Sequence, residues 1–216
     1  IVAILAIIVP TVLVAAGAMD SYVAGVLTLA GINAIMAISV NLISGITGQL
    51  SLGQAGFMAI GAYSCIFLTQ NCGLPLVVSI IVAGLITSIF GFLIGFPTLK
   101  LTGDYLAIVT LGFGEIIRVV LINLKTITGG ANGKRFEDPS VIMMQAFPEK
   151  AYFMVIGALI LVIVLLQNFL RSTYGRAIKA VREDEIAANS NGISVFKYKM
   201  VGFVIAAFVA GVGGGL

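Results

Sequence analysis

Long apolar segments separated by short polar ones run through the whole chain. They fall at about residues 1–18, 21–44, 55–70, 74–96, 104–122, 151–170 and 201–216. Apolar stretches of about 20 residues are typical of membrane-spanning helices. The runs are continuous rather than alternating, which is the pattern of helices and not of membrane strands. The pattern therefore predicts an all-α fold, a polytopic transmembrane helical bundle that forms a single domain over residues 1–216.

Composition supports a membrane protein and removes several kinds of chemistry. The chain is 60% hydrophobic and 10% charged, whereas soluble domains carry roughly 25% charged residues. The net charge of +3 is too small to indicate a nucleic-acid partner. The absence of His excludes a His-based catalytic dyad or an imidazole metal site, and Cys65 and Cys72 do not form a disulfide framework. We expect membrane lipid as a neighbour, and no enzymatic activity, catalytic residue or metal site in this chain.

The ends of the chain lead to two expectations. The last apolar run, 201–216, is shorter than a span, and the chain starts at Ile1 rather than Met. We therefore expect a fragment that lacks at least its C-terminal end. Residues 1–18 lack a basic n-region and a following cleavage site, which favours a span over a signal peptide.

The longest polar stretch, 171–200, sets the predicted orientation of the whole chain in the membrane. It holds six of the twelve Lys and Arg residues and three of the nine acids. A stretch this polar must lie in water, and its basic excess places it on the cytoplasmic side. Counting spans back from it places the loop 123–150 outside, where it is either a lid or docking surface or a passive solvated loop.

The stretch 44–63 differs from its neighbours because glycines alternate with uncharged polar residues. Freed backbone amides at membrane depth are tolerated where the backbone lines a cavity or is buried in protein. An interrupted helix of this kind often marks a translocation path, although a plain cytoplasmic turn is the alternative. The candidate path residues here are Asn41, Gln49, Ser51 and Gln54.

The segment 104–122 carries two ionisable residues, Glu115 and Arg118. At about 1.5 Å per residue from Asp104, Glu115 lies some 16 Å along the helix, near the middle of a bilayer. The pair is either a polar lining or gate in the path, or an ion pair that fixes helix packing. A neighbouring arginine keeps a carboxylate ionised, which argues against a proton relay through Glu115.

A stripe of small residues marks one face of the segment 74–96. Ala83, Thr87, Gly91 and Gly95 recur at a spacing of four. This spacing places them on one helix face, where a second backbone can approach closely. The stripe predicts helix packing and nothing about chemistry.

Residues 174–190 are helix-like, and Gly192 is expected to end the helix. Ile186, Ala187 and Ala188 would be exposed without a reason in a passive loop, so the segment suits insertion into a groove on a soluble partner. Residues 129–135 look similar to a phosphate-binding loop but lack its first glycine and its final hydroxyl. No nucleotide site is therefore expected in this chain.

Three motifs carry a family resemblance that covers most of residues 30–216. They are TGQLSLGQAGFMAIGAY at 47–63, GDYLAIVTLGFGEIIR at 103–118, and a spaced series in the polar stretch (Tyr174-Gly175-Arg176-Ala177, Arg182-Glu183, Ala187-Ala188 and Gly192-Ile193). The series resembles the ATPase-coupling loop of ATP-binding-cassette importer permeases. The other two are similar to motifs of the Liv-type branched-chain amino-acid permeases, and the second is closer to the M-type subunit than to the H-type.

The resemblance implies a multi-pass subunit in the inner membrane of a prokaryote. Its partners would be a second permease subunit, cytoplasmic ATP-binding subunits that bind the ATP, and an extracytoplasmic substrate-binding protein. No cofactor would be bound by this chain. The implied coupling residues are Tyr174, Gly175, Arg176, Arg182, Glu183, Ala187, Ala188 and Gly192.

One position departs from the importer pattern, and alternatives remain open. Ile186 occupies the place of a glutamate in the pattern and Glu185 comes one residue early, which leaves the role of Glu185 at the ATPase contact open. Related permeases carry urea or short amides instead of branched-chain amino acids. A stand-alone secondary transporter that uses Glu115 for ion coupling is the alternative from another class.

Overall fold

The computed structural model describes residues 21–101, 103–134 and 148–216. The predicted first span, 1–18, and the middle of the predicted external loop lie outside the described residues. The described helices are α1 (Ser21–Asn41), α2 (Gln54–Cys72), α3 (Leu76–Thr98), α4 (Asp104–Asn123), α5 (Lys125–Thr128), α6 (Pro148–Arg171), α7 (Thr173–Glu183), α8 (Glu185–Ser190) and α9 (Val195–Gly215). A π-helical turn, Leu42–Ile46, extends α1, and a 3-10 turn, Gly130–Asn132, follows α5.

Five of the described helical segments are long and apolar enough to cross a membrane: Tyr22–Ile46, Leu76–Thr98, Asp104–Asn123, Lys150–Arg171 and Val195–Gly215. The prediction of an all-α, polytopic bundle is therefore confirmed. The apolar run at 201–216 belongs to a longer candidate span, because α9 begins at Val195 and has 21 residues. The polar stretch 171–200 is correspondingly shorter, since Arg171 ends α6 and Lys197 and Lys199 belong to α9.

Helix α9 is the centre of the described bundle. It packs against α3, α2 and α1, and its residues Phe203, Ala206, Ala207 and Ala210 are fully buried. Gly61 lies opposite Gly211 and Cys65 lies near Gly215, so α2 and α9 run parallel. A Cβ at Gly61 would collide with the backbone of Gly211, which means that only glycine permits this approach.

The other helices pack around this centre. Helix α1 runs antiparallel to α9, since Ile35 lies near Gly213 while Ser39 lies near Ala206. Helix α6 packs mainly on α1, and α4 mainly on α2. Helix α4 therefore lies at the edge of the described bundle, and one face of it has no neighbour among the described residues.

Candidate translocation and coupling sites

The predicted interruption between α1 and α2 is present, and it begins earlier than expected. The π-helical turn Leu42–Ile46 is closed by Thr47 N donating to Leu42 O at 3.0 Å, and Gln49 N donates to Ile43 O at 3.0 Å. Residues 47–53 are then not helical. Gly48 has a φ of +68°, a left-handed conformation that favours glycine and that turns the chain here.

The break contains buried polar groups with incomplete hydrogen bonding. Gln49, Ser51 and Gln54 are 3–4% exposed. Both amide atoms of Gln49, Ser51 Oγ and Gln54 Nε2 have no hydrogen-bond partner among the described residues. A buried polar atom without a partner costs about 1–3 kcal/mol. These atoms would gain hydrogen-bond partners in any state of the protein in which water or a polar solute reaches the break.

Ser39 ties the break to the centre of the bundle. Its Oγ lies 2.8 Å from Ala206 O and 3.0 Å from Gln54 Oε1. A hydroxyl carries one hydrogen, so it donates to one of these oxygens. A half turn of the Gln54 amide lets Nε2 donate to Ser39 Oγ while Ser39 donates to Ala206 O. In that arrangement one hydroxyl connects α1, α2 and α9.

Helix α4 supports the other side of the break. The freed backbone amide of Leu52 donates to Thr110 Oγ1 at 3.1 Å, and the Thr110 hydroxyl donates to Ala107 O at 3.0 Å. A Cβ on Gly53 would lie 2.7 Å from Thr110 O, so the two backbones are in direct contact. The sequence did not single out Thr110, although a threonine inside an apolar helix opposite a glycine-rich stretch is a usable signal.

The two ionisable residues of α4 pair with each other. Arg118 Nε donates to Glu115 Oε2 at 2.9 Å, and the two side chains are 66% and 59% exposed. They lie on the same helix, and in the part of the chain that the structure describes no hydrogen bond or ion pair joins either of them to a second helix. The interpretation of the pair as a link between helices therefore finds no support among these residues.

The remaining path candidate on α1, Asn41, is exposed. Asn33, one of the polar residues of this helix, donates from Nδ2 to Leu29 O of its own helix at 3.0 Å. The structure thus brings Gln49, Ser51 and Gln54 together in the break but leaves Asn41, Glu115 and Arg118 on outer surfaces.

The small-residue stripe of α3 faces α9. Ala83, Thr87, Gly91 and Gly95 are all buried. A Cβ on Gly91 would lie 2.6 Å from the Cβ of Ala207, and one on Gly95 would lie 3.1 Å from Met200 Sδ. The stripe therefore lets α3 and α9 approach closely along most of their length.

The polar stretch folds as two short helices, α7 and α8, followed by a turn; we call this unit the polar hairpin. The sequence predicts one helix over 174–190, and this was wrong because Asp184 is extended and divides it. Asp184 Oδ1 accepts from Ile186 N at 2.8 Å and from Ala187 N at 3.0 Å, so this residue caps α8. Gly192, with a φ of +78°, ends the hairpin as expected.

The candidate coupling residues divide into an outer and an inner set. The exposed set is Tyr174, Arg176, Arg182, Glu183, Ala187 and Gly192. Gly175 and Ala188 are buried, and a Cβ on Gly175 would collide with the backbone of Leu170. These two positions therefore lie on the inner side of the hairpin, and Gly175 packs directly against α6.

The departure at 185–186 has a structural explanation. Glu185 Oε1 accepts from Lys199 Nζ at 2.6 Å, and the Lys199 side chain is only 11% exposed. The carboxylate therefore fastens α8 to α9. Ile186, which the candidate set omitted, is 81% exposed and is the most prominent apolar side chain of the hairpin. An isoleucine in the middle of a charged stretch is the signal that identifies it.

The hairpin and the break are in direct contact. A Cβ on Gly48 would lie 2.9 Å from Arg182 Cγ, and Thr47 and Ile178 both lie against Gly202. The end of α7 thus packs on the first residues of the break.

Comparison of the sequence with known proteins gives one family and several relatives. A family described as branched-chain amino acid transport system / permease component matches residues 22–216. The chain is 39% identical to the high-affinity branched-chain amino acid transport system permease protein LivM of Escherichia coli K12, over 88% of this chain and 50% of that protein. It is 25% identical to the guanosine ABC transporter permease protein NupQ of Bacillus subtilis 168, over 79% and 58%.

A third relative, the probable branched-chain amino acid transport permease protein LivM of Methanocaldococcus jannaschii, is 25% identical over 62% of this chain and 41% of that protein. The chain thus spans about half the length of the curated relatives that it matches. No solved structure gives a significant match. The match over residues 22–216, on a helical bundle with an interrupted helix and a polar hairpin, shows that the chain belongs to the family of permease components of the branched-chain amino acid transport system.

Proposed function

We propose that this chain forms the membrane-spanning part of an ATP-driven importer subunit that carries branched-chain amino acids. The observation that carries the proposal is the 39% identity to the Escherichia coli permease of a branched-chain amino acid system. The relative that carries guanosine shares only 25% identity. Between these two substrate classes, the greater similarity favours amino acids.

In this proposal the polar hairpin lies in the cytoplasm and contacts a separate ATP-binding subunit. Its exposed face combines the basic side chains of Arg176 and Arg182 with the apolar side chain of Ile186. A helix that presents an exposed apolar residue between charges suits a groove on a soluble protein. ATP binding and hydrolysis would take place on that partner, and a second permease subunit and an extracytoplasmic binding protein would complete the importer.

Movement of the hairpin would reach the break through Gly48 and Arg182. The buried polar atoms of Gln49, Ser51 and Gln54 gain partners when water or solute enters, so opening of the break offsets part of its own cost. A stand-alone secondary transporter is less well supported, because Glu115 is already paired with Arg118.

The experiment is uptake of radiolabelled leucine into proteoliposomes that contain the protein with its ATP-binding, permease and substrate-binding partners. We expect uptake that requires ATP and is unaffected by a protonophore. Labelled guanosine and urea, each tested in the same vesicles, serve as matched substrates and should not accumulate. Leucine uptake that continues without ATP and stops with the protonophore would contradict the proposal, as would accumulation of guanosine or urea alone.

A second experiment tests the contact with the ATP-binding subunit. Ile186→Cys, at a position that is 81% exposed, should form a cross-link to a cysteine in the groove of the co-expressed ATP-binding subunit. Ala188→Cys is the matched control, because Ala188 lies two residues away and is 5% exposed. Equal cross-linking at both positions, or none at Ile186, would count against docking by this hairpin.

A further inference from the structure

The ion pair on α4 leaves most of its hydrogen-bonding capacity unused. Glu115 and Arg118 share one hydrogen bond, between Oε2 and Nε. Arg118 Nη1 and Nη2 and Glu115 Oε1 have no partner among the described residues. The guanidinium still has N–H groups to donate, and the carboxylate still has an oxygen that can accept.

The position of the pair makes this unusual. Glu115 lies about 16 Å along α4 at a rise of about 1.5 Å per residue, close to the middle of a bilayer. Ionisable side chains at that depth face a polar cavity or another protein group rather than lipid, because exposure to hydrocarbon is costly. With side chains 66% and 59% exposed, the pair is open to whatever lies beside this face.

An apolar slot lies next to the charges. A Cβ on Gly112, one helical turn before Glu115, would meet no atom within 4 Å. Ile108 and Leu111 beside it are 65% and 49% exposed. Gly114, by contrast, faces the break, where a Cβ would lie 3.6 Å from Gly53 Cα. The outer glycine is therefore not explained by packing within the described residues.

We propose that Arg118, Glu115 and the slot at Gly112 form a recognition site for a zwitterionic aliphatic α-amino acid. The free edge of the Arg118 guanidinium binds the α-carboxylate in a bidentate arrangement, and Glu115 Oε1 accepts from the α-ammonium group. The aliphatic side chain lies in the slot beside Ile108 and Leu111. The site presents one positive and one negative group, as the ligand does, and so distinguishes an amino acid from an uncharged nucleoside. This inference rests on the proposed function and adds the residues that select the substrate.

The test places a cysteine in the slot. Gly112→Cys is introduced into the protein with Cys65→Ala and Cys72→Ser, and the complete importer is reconstituted in proteoliposomes. The rate of reaction with a water-soluble cationic methanethiosulfonate is measured with increasing L-leucine, leucinamide or 4-methylpentanoate. Leucinamide lacks the carboxylate and 4-methylpentanoate lacks the ammonium group. We expect half-protection by leucine at a concentration about tenfold or more below that of either analogue, since each lost charged hydrogen bond weakens binding by about that factor.

Two variants test which side chain binds the carboxylate and which binds the ammonium group of the ligand, and a cysteine at another glycine is the control. In Arg118→Gln, leucine should protect no better than leucinamide, and in Glu115→Gln it should protect no better than 4-methylpentanoate. A merely structural ion pair would leave both ratios unchanged. Gly157→Cys is the control, because Gly157 is also an exposed helical glycine with no atom within 4 Å of its Cβ position. Its reaction rate should not respond to leucine.

Several outcomes overturn the site. A cysteine at 112 that never reacts indicates a face buried against another subunit, and equal protection by all three compounds indicates no recognition of the head group. If either result accompanies normal ATP-dependent leucine uptake by the unsubstituted importer, the recognition site is wrong and the proposed function stands. If that importer shows no ATP-dependent leucine uptake, the proposed function fails, and the site assignment fails with it.

Discussion

Helices α9 and α4 are both long, apolar and glycine-containing, and they occupy opposite environments. Half of the most apolar stretch of α9 is buried, against 17% in α4. The space beside Gly211 in α9 is occupied by the neighbouring Thr87 and Gly61. The space beside Gly112 in α4 is open. The same residue type therefore brings backbones together in one helix and leaves a slot in the other.

The difference lies in where each helix carries charge. Helix α9 has no ionisable residue after Lys199, and every residue that follows is buried or half-buried. Helix α4 carries Glu115 and Arg118 in its middle, and that face has no neighbour among the described residues. Hydropathy alone does not tell which of the two helices is central, but the position of the ionisable residues does.

The largest expected effect on stability comes from replacing a glycine of α9 by leucine, compared with the same replacement in α4. Gly211→Leu places a Cβ 2.6 Å from the Cβ of Thr87, an atom that no rotamer change moves, and should destabilise the protein by about 3 kcal/mol or more. We expect little folded protein after purification in detergent, measured by size-exclusion chromatography and thermal unfolding. Gly112→Leu is the matched substitution on α4 and should purify and unfold like the unsubstituted protein. Equal loss of folded protein in both would contradict the contrast between the helices.

A smaller effect is expected from removing single hydrogen bonds on the two helices. Ser39→Ala removes the hydroxyl that connects α1 and α2 to Ala206 of α9 and should lower the free energy of unfolding by about 1 kcal/mol. Asn123→Ala on α4 removes a bond to Val119 O of the same exposed helix and should have almost no effect. The midpoints of chemical unfolding in mixed micelles measure both. A cost at Asn123 as large as that at Ser39 would mean that α4 is packed as tightly as α9.

The helical bundle follows from the sequence because long apolar runs have few alternatives in a membrane. The break was also predictable, since glycines and amides at membrane depth conflict with a continuous helix. The division of the hairpin at Asp184 was missed because the sequence pattern is helical on both sides of it. Only the capping carboxylate of Asp184 marks the start of a new helix. The start of α9 at Val195 was missed because Lys197 and Lys199 made its first turns look like loop.

The site was predictable in its residue types but not in its arrangement. Gln49, Ser51 and Gln54 were identified as polar residues, yet their burial depends on how α4 and α9 enclose the break. The sequence indicated that Glu115 and Arg118 share a helix face, but not that this face is open. The role of Glu185 depends on Lys199, fourteen residues further on, which no local pattern indicates.

The contact between Gly48 and Arg182 has a consequence for building chimeras of related permeases. The Arg182 side chain at the end of α7 lies directly against Gly48 at the start of the break. A hairpin transplanted alone from a homologue would meet a turn shaped for a different neighbour. Residues 47–53 and the hairpin therefore form one structural unit, and a functional exchange of the hairpin between homologues should require moving both.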